Sequence, residues 1–343
     1  MTAELTPGKK RGLEAVSDAR GVIAALAIDQ RGAMRELFSK PMGIQPADVP
    51  GDKLVEYKKA VSRILTSHAS AILLDPEFGL PASRERAKNS GLLLAYEQTG
   101  YDKAVKGRLP RLLDHLSVHR LMKEGADSIK LLLYYSAFSE NEINDIKYAF
   151  IERLGAECAA ADVPFFLELV SYADGIDGKS AEFARKKPEL VSKGMAEFTK
   201  PQYRIDILKV GMPVDLASVE GAPSPSSEVV YSRKEAHQHF LNAAQQSTLP
   251  FIYLSEGVSN ETFQFGLELA AESGAKFSGV LCGRATWKDG VKVYVEKGPA
   301  ALDEWLHTVG TQNIENVNAR LKAATPWHSI GSASAAKSGA QAK

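Results

Sequence analysis

The stretch RIDILKVGMPVDL, residues 204–216, contains a short apolar run, Ile207-Leu208-Lys209-Val210, with a lysine inside it. The run is rich in branched aliphatic residues and is typical of a buried β-strand. An ammonium group in an apolar interior is costly unless it is paired or neutral. Lys209 therefore either has a local partner or is placed there for its chemistry.

Seven further runs of this kind recur along the chain. The eight runs are GVIAALAIDQ (21–30), ASAILLDPE (69–77), GLLLAYE (91–97), SIKLLLYY (128–135), PFFLELVSY (164–172), DILKVGMP (206–213), PFIYLSEGV (250–258) and KFSGVLCGR (276–284). Amphipathic helical stretches separate them, for example those at 52–68, 111–125 and 260–274. This alternation predicts an α/β fold with a parallel sheet, and eight units predict a single (β/α)8 TIM barrel. The third run also fits a continuing helix. A doubly wound open sheet is the alternative fold, but the turn after the first run has a single glycine.

The composition excludes several classes of protein. The chain has 343 residues, of which 24% are charged, and its 42 basic residues balance 42 acidic ones. No global positive field favours nucleic acid or an anionic membrane. Two cysteines are too few for a disulfide framework, and no secretory signal or membrane span is evident. We therefore expect a cytoplasmic protein that binds neither nucleic acid nor membranes.

One domain is predicted over residues 11–328. The segment before it, residues 1–10, is expected to be flexible. The segment after it, SIGSASAAKSGAQAK (329–343), is small and polar and predicts a disordered tail.

Charged and hydroxyl side chains lie within or at the ends of the predicted strands. In strand order they are Asp29, Asp75, Lys130, Glu168, Lys209, Ser255 and Arg284. The active site of such a barrel is built at the carboxyl ends of its strands. Because side chains alternate and the outer face packs on helices, Glu168 and Lys209 are expected to point inward and meet.

Two interpretations of Glu168 and Lys209 are open. A buried ion pair of purely structural value is the first. The additional charges Lys130 and Asp29 favour the second, in which a partly neutral lysine attacks a carbonyl and forms a Schiff base. A nearby carboxylate would then move protons during dehydration and bond cleavage.

The loops after the seventh and eighth runs, LSEGVSN and LCGRATWKDG, lie where barrels frequently bind phosphate. Ser255 offers a hydroxyl group, and Glu256 and Gly257 offer backbone N–H groups. Gly283 permits close approach, and Arg284 supplies a bidentate clamp. Two tight turns with a surface arginine are the alternative.

Several polar residues leave alternatives open. Gln30 and Arg31 follow Asp29, and Arg31 suits either a distal phosphate or a structural salt bridge. Asp75 either contacts substrate or caps its loop. His115 and His119 are four residues apart in a predicted helix, but no third ligand is evident, so no metal site is predicted.

Seven blocks of the sequence resemble the class I tagatose 1,6-bisphosphate aldolase family. They are LAIDQRGAMR, SAILLDPEFGLPASRERAKNSGLLLAYEQTGYD, IKLLLYY, FFLELVSY, ILKVGMPV, IYLSEGVSNETF and GAKFSGVLCGRATWKDGVKVY, and the resemblance runs from about residue 10 to about residue 327. It implies cleavage of a ketohexose 1,6-bisphosphate to dihydroxyacetone phosphate and D-glyceraldehyde 3-phosphate. D-Tagatose 1,6-bisphosphate is the leading candidate for that sugar. It also implies that the reaction needs neither a metal nor another cofactor.

The resemblance implies a role for each matching residue. Lys209 of ILKV corresponds to the Schiff-base lysine, and Glu168 of FLEL to the acid/base residue. Asp29 and Lys130 correspond to supporting charges beside the carbinolamine. The holders of the 1-phosphate are Ser255, Gly283 and Arg284.

Two residues depart from the family pattern. Gly211 stands where the family usually has a glutamate, so we expect empty space in place of a carboxylate. Glu256 replaces a small residue before the GV of the seventh loop. Both departures bear on the choice of sugar more than on the chemistry.

Two other functions therefore stay open. One is a class I aldolase for 6-deoxy-6-sulfofructose 1-phosphate. The other is a sugar-phosphate-binding regulator without turnover. The expected partner is a small sugar phosphate, and a homo-oligomer is one option for assembly.

Overall fold

A computed structural model describes residues 5–98 and 105–330. Eight parallel strands close into a barrel in sequence order, with β1 paired to both β2 and β8. They are β1 (Ile23–Ala27), β2 (Ala71–Leu74), β3 (Gly91–Ala95), β4 (Ser128–Tyr135), β5 (Phe165–Ser171), β6 (Ile207–Val210), β7 (Phe251–Leu254) and β8 (Gly279–Cys282). The predicted (β/α)8 barrel is confirmed, and the third run is a strand.

Helices surround the barrel. They are α1 (Pro7–Ala15), α2 (Gly32–Met42), α3 (Gly51–Leu65), α4 (Leu80–Ser83), α5 (Val118–Lys123), α6 (Asn141–Ala160), α7 (Ala181–Phe198), α8 (Arg233–Gln245), α9 (Asn260–Glu272), α10 (Arg284–Trp287), α11 (Gly290–Lys297), α12 (Pro299–Trp305) and α13 (Thr311–Arg320). No helix in the described part of the chain is long and apolar enough to cross a membrane.

Alternation along the strands separates two apolar layers. In β6, Leu208 and Val210 pack outward in the layer between sheet and helices, whereas Ile207 lies in the layer inside the barrel. Lys209 shares the inward face of Ile207. The register pairs Glu168 of β5 directly with Lys209, so both charges lie at one level of the barrel interior.

Helix α1 covers the amino-terminal end of the barrel. Leu13 and Val16 belong to the same buried cluster as the inward-facing strand residues. The helix begins at Pro7, inside the segment expected to be flexible, because two contacts near its start hold it in place. The N–H of Gly8 donates to Asp162 Oδ2 at 2.8 Å, and Lys9 Nζ lies 2.8 Å from Asp206 Oδ2. Residues 331–343 of the predicted tail lie outside the described residues.

The helix predicted over 111–125 is mostly wrong. Only Val118–Lys123 is helical, with the Ser117 side chain accepting from the N–H of Arg120. Upstream, Leu112 forms an antiparallel bridge with Glu97. The pairing takes this segment out of the helical register and fixes Glu97 beyond the end of β3.

We expect Leu13→Ala to lower the free energy of unfolding by about 2–5 kcal/mol, because it opens a cavity where α1 meets the inner layer. The turnover number should stay within about twofold of wild type, since the substitution lies at the end of the barrel remote from the strand carboxyl termini. Urea denaturation measures the first quantity and steady-state assays the second. Ile44→Ala, at a residue 36% exposed, is the control. A fall in the turnover number well beyond twofold would contradict this separation of stability from activity.

Candidate active site

Lys130 of β4 lies at the centre of the charged cluster. Its Nζ atom is 2.9 Å from Asp29 Oδ2, 2.7 Å from Glu97 Oε1 and 2.7 Å from Glu168 Oε2. The side chain is fully buried inside the barrel. Three carboxylates therefore converge on one ammonium group. Asp29 and Glu97 follow β1 and β3, and Glu168 lies within β5.

Lys209 shares one of these carboxylates. Its Nζ atom lies 2.9 Å from Glu168 Oε2, the oxygen that also contacts Lys130. Both Lys209 and Glu168 are buried. The predicted meeting of these two side chains is observed, and Glu168 bridges two ammonium groups.

The cluster fixes the protonation states of its members. Burial lowers the pKa of Lys130, but Asp29, Glu168 and Glu97 raise it more, so it lies well above its ordinary value. Burial raises the pKa of Glu168, but the opposing effects of Lys130 and Lys209 are together larger, so the net shift is downward. Burial also raises the pKa of Asp29, but Lys130 and, to a smaller extent, Lys209 lower it by more. The pKa of Asp29 therefore lies well below its usual range. In the resting site Lys130 is a cation, whereas Glu168 and Asp29 are carboxylates. Glu168 is thus an ionised carboxylate beside Lys209.

Glu97 and Lys58 are site residues that the sequence reasoning missed. Glu97 ends the third run just as Asp29 ends the first, and that shared position was the available signal. Lys58 lies on α3 and donates to the backbone oxygens of Ile28 and Gln30 at 2.8 and 3.0 Å. It braces the loop after β1.

Asp75 caps its loop. Its carboxylate pairs with the buried Lys58 and accepts from the N–H of Phe78 at 2.8 Å. Of the two interpretations of Asp75, the structure favours the cap.

Gln30 and Arg31 lie beside the cluster. Gln30 Nε2 donates to Asp29 Oδ1 at 3.0 Å and orients that carboxylate. Arg31 Nη1 lies 2.6 Å from Glu77 Oε2, and Nη2 donates to the backbone oxygen of Glu97 at 2.9 Å. These contacts favour the salt bridge for Arg31.

The seventh and eighth loops meet at Arg284. A Cβ atom at Gly257 would lie 2.7 Å from the Arg284 guanidinium carbon, so the glycine allows this close approach. Gly257 (φ 82°) and Glu256 (φ 49°) both have left-handed backbones. Lys288 Nζ donates to the backbone oxygens of Gly257 and Val258 at 3.2 and 3.1 Å, which braces the turn.

The remaining predicted phosphate ligands lie in the same region. Ser255 is buried where β7 ends, and Gly283 lies directly before Arg284 with a Cβ position 3.1 Å from the Ala27 oxygen. Among the described residues, Arg284 has no carboxylate partner. The two loops therefore present an uncompensated guanidinium group beside left-handed turn residues, an arrangement suited to an anion.

The expectation of empty space at Gly211 is wrong. A Cβ atom there would lie 2.6 Å from Glu256 Oε1. The other oxygen of Glu256 lies 2.7 Å from Lys187 Nζ, a buried side chain of α7. The seventh loop thus places a carboxylate over Gly211, because β6 and β7 are neighbours and their carboxyl ends adjoin. The two departures from the family pattern form one structural unit.

No group of three His, Cys, Asp or Glu side chains within residues 5–98 and 105–330 is arranged to hold a metal ion. His115 precedes α5, on which His119 lies, so the two histidines do not share a helix.

Comparisons with known proteins agree on one family. Residues 23–289 match the model of the DeoC/LacD family aldolases. The chain is 52% identical over 327 residues to tagatose 1,6-diphosphate aldolase 2 of Enterococcus faecalis, which covers 94% of this chain and 97% of the relative. It is 50% identical over 321 residues to a tagatose 1,6-diphosphate aldolase of Staphylococcus aureus, covering 93% and 97% of the two chains.

Two solved structures share the fold. One is fructose-bisphosphate aldolase from Plasmodium falciparum, with a TM-score of 0.68, 13% identity, and coverage of 94% of this chain and 97% of that one. The other is a Schiff base forming fructose-1,6-bisphosphate aldolase, with a TM-score of 0.53, 13% identity, and coverage of 89% and 98%.

We expect Gly211→Ala to destabilise the seventh loop, because the new methyl group collides with the Glu256 carboxylate. The KM for a sugar phosphate should rise at least about fivefold, and the free energy of unfolding should fall by about 1–3 kcal/mol. In the Glu256→Ala background the same substitution should cost less than half as much. A double-mutant cycle measures the coupling. Equal costs in the two backgrounds would show that the two residues do not act as a unit.

Changing the charges around Glu168 should move the acid limb of the pH profile in opposite directions. Lys130→Met removes a cation that lowers the pKa of Glu168, so the limb should move up by about one pH unit or more. Asp29→Asn removes a carboxylate that raises the pKa of Glu168, so the limb should move down. The measurement is kcat/KM from pH 4 to 9, with circular dichroism to confirm folding. Lys9→Met, which breaks a buried pair at the other end of the barrel, should leave the profile unchanged. Upward movement in both variants would contradict the assignment.

Proposed function

The chain belongs to the DeoC/LacD aldolase family, and we propose that it is a class I aldolase that forms a Schiff base on Lys209. The resemblance found in the sequence motifs is confirmed by the curated relatives. The proposed substrate is D-tagatose 1,6-bisphosphate, the sugar in the names of relatives at 50–52% identity. The products would be dihydroxyacetone phosphate and D-glyceraldehyde 3-phosphate.

The observation that carries the proposal is the position of Glu168 Oε2 between Lys209 and Lys130. A nucleophilic lysine has to lose a proton, and Glu168 is an ionised acceptor 2.9 Å from the Lys209 nitrogen. Lys130 remains charged and keeps Glu168 acidic enough to give the proton back. Glu97 and Asp29 orient Lys130.

The reaction begins when Glu168 takes a proton from Lys209. The free amine adds to the C2 carbonyl, and Glu168 returns its proton to the carbinolamine hydroxyl, which leaves as water. The resulting iminium ion retains the positive charge of the lysine, so the charge balance of the cluster is preserved.

Carbon–carbon cleavage follows from the iminium ion. Glu168, or a water bound to it, takes the proton of the C4 hydroxyl, and the C3–C4 electron pair moves into the iminium to give an enamine. Glyceraldehyde 3-phosphate leaves. The enamine takes up at C3 the proton removed from the C4 hydroxyl, and addition of water to the resulting iminium ion releases dihydroxyacetone phosphate and regenerates Lys209.

The 1-phosphate would bind at the seventh and eighth loops. Arg284 supplies the cation, and Ser255, Glu256, Gly257 and Gly283 supply a hydroxyl group and the backbone of the two turns. This site fixes the substrate at the end next to C2, and so places the carbonyl near β6.

We expect borohydride reduction in the presence of dihydroxyacetone phosphate to leave a stable adduct on Lys209, because reduction traps the iminium ion. Peptide mass spectrometry locates it. Lys209→Met should abolish the adduct and lower kcat by at least about 10³-fold, whereas Lys9→Met should retain both. Activity should persist in EDTA.

An adduct on another lysine, or activity lost in EDTA, would overturn the mechanism. Cleavage of 6-deoxy-6-sulfofructose 1-phosphate with a kcat/KM above that of D-tagatose 1,6-bisphosphate would overturn the choice of sugar. Binding of both sugars with no cleavage would instead indicate a regulator.

A further inference from the structure

Arg108 lies against two tyrosine rings at the mouth of the barrel. Its guanidinium carbon is 4.4 Å from the ring centroid of Tyr172 and 5.2 Å from that of Tyr134. Its backbone is left-handed, with φ of 43°. Over residues 5–98 and 105–330, Arg108 forms no ion pair with a carboxylate. The two rings thus hold a half-buried guanidinium group in place, and no described carboxylate neutralises it.

A second cation reinforces the charge. Lys147 of α6 is fully buried, and its Nζ atom donates to the Tyr172 hydroxyl at 3.2 Å. Burial lowers the pKa of Lys147 to about 8, with Arg108 adding to the effect and Asp174 opposing it. No described carboxylate lies within ion-pair distance of Lys147. Two cations therefore share one neutral phenol, and the local field is positive.

The position of the tyrosines relates Arg108 to the catalytic cluster. Tyr134 is four residues beyond Lys130 on the same face of β4, which is about 13 Å along the strand. Tyr172, directly after the end of β5, is four residues beyond Glu168. Arg108 therefore lies above the cluster, on the β4–β5 side of the mouth.

Arg284 lies on the other side of the mouth. It follows β8, and β4 and β8 are opposite each other in a closed barrel of eight strands in sequence order. Tyr134 lies within electrostatic range of both arginines. Burial raises the pKa of its hydroxyl, and Arg108 and Arg284 each oppose that rise. Two guanidinium groups without a carboxylate partner among residues 5–98 and 105–330 thus flank one opening, and Lys209 of β6 lies between their strands around the barrel.

We propose that Arg108, held between Tyr134 and Tyr172, binds the anionic group at C6 of the substrate. The ligand is a tetrahedral oxyanion, a phosphate or a sulfonate, that a guanidinium fork recognises. The inference rests on the proposed function, in which Arg284 holds the 1-phosphate. It also gives the distal group a ligand that Arg31, which is paired with Glu77, does not supply.

The test compares a ketohexose 1,6-bisphosphate with the corresponding 1-phosphate, which lacks the distal anion. Arg108→Met should lower kcat/KM for the bisphosphate about 100-fold, mainly through KM, and change that for the 1-phosphate less than about threefold. Arg108→Lys should recover part of the loss. Arg233→Met is the matched control, because Arg233 also stacks on a ring, that of Phe265, but is paired with Glu272 on the outer helices. It should change neither value.

Binding of a hexitol 1,6-bisphosphate, measured by calorimetry, separates this inference from the proposed chemistry. The compound has no carbonyl group, so its affinity depends on the two anion sites alone. Arg108→Met should weaken it about 100-fold and leave hexitol 1-phosphate unaffected, even if the wild-type protein cleaves nothing. Failure of cleavage and of imine trapping with this binding pattern intact would refute the proposed function and leave the site standing.

Parallel losses for mono- and bisphosphate would show that Arg108 only supports the structure and would overturn the inference. So would unchanged binding of both hexitols. Repeating the assay with 6-deoxy-6-sulfofructose 1-phosphate distinguishes the two oxyanions. A loss confined to one sugar assigns the site to that sugar's C6 group, and a loss with both assigns it to either oxyanion.

Discussion

The oxygen atom Glu168 Oε2 contacts two ammonium groups inside a closed sheet, Lys130 at 2.7 Å and Lys209 at 2.9 Å. Two buried cations so close would repel each other without a shared anion. The sharing is possible because β5 lies between β4 and β6 in the barrel, and alternation turns all three side chains inward. Asp29 and Glu97 complete the balance around Lys130. The lowered pKa of Glu168 and its contact with both lysines thus follow from a single geometric constraint.

The barrel interior is divided along its axis. Its amino-terminal half is filled by Phe166, Ile207 and their neighbours and is covered by α1, whose Leu13 enters the same layer. Its carboxyl-terminal half carries the charges. Burial of the apolar layer offsets the cost of desolvating the ions above it, which by themselves add little to stability. Apolar packing therefore stabilises one part of the barrel interior, and the charged cluster occupies another.

The sequence was sufficient for the barrel and for the central pair, because short apolar runs and charges at their ends are local signals. Glu97 had such a signal, at the end of the third run. The segment that holds it in place, around Leu112, was predicted to be part of a helix over 111–125, so its bridge to Glu97 was not expected. Lys187 had none, since a lysine in a helix is ordinarily exposed. The contact of Glu256 with Gly211 joins two loops 45 positions apart, and no periodicity in the chain reports it.

That contact couples the substitutions that the two positions tolerate. With a side chain at residue 211, the Glu256 carboxylate has to leave its present position, since a methyl carbon would lie 2.6 Å from its oxygen. Its ion pair with Lys187 resists that movement. A bulkier residue at 211 is therefore disfavoured for as long as residue 256 is a glutamate that keeps this pair. The volume of one carboxylate thus links two loops that are distant in the chain.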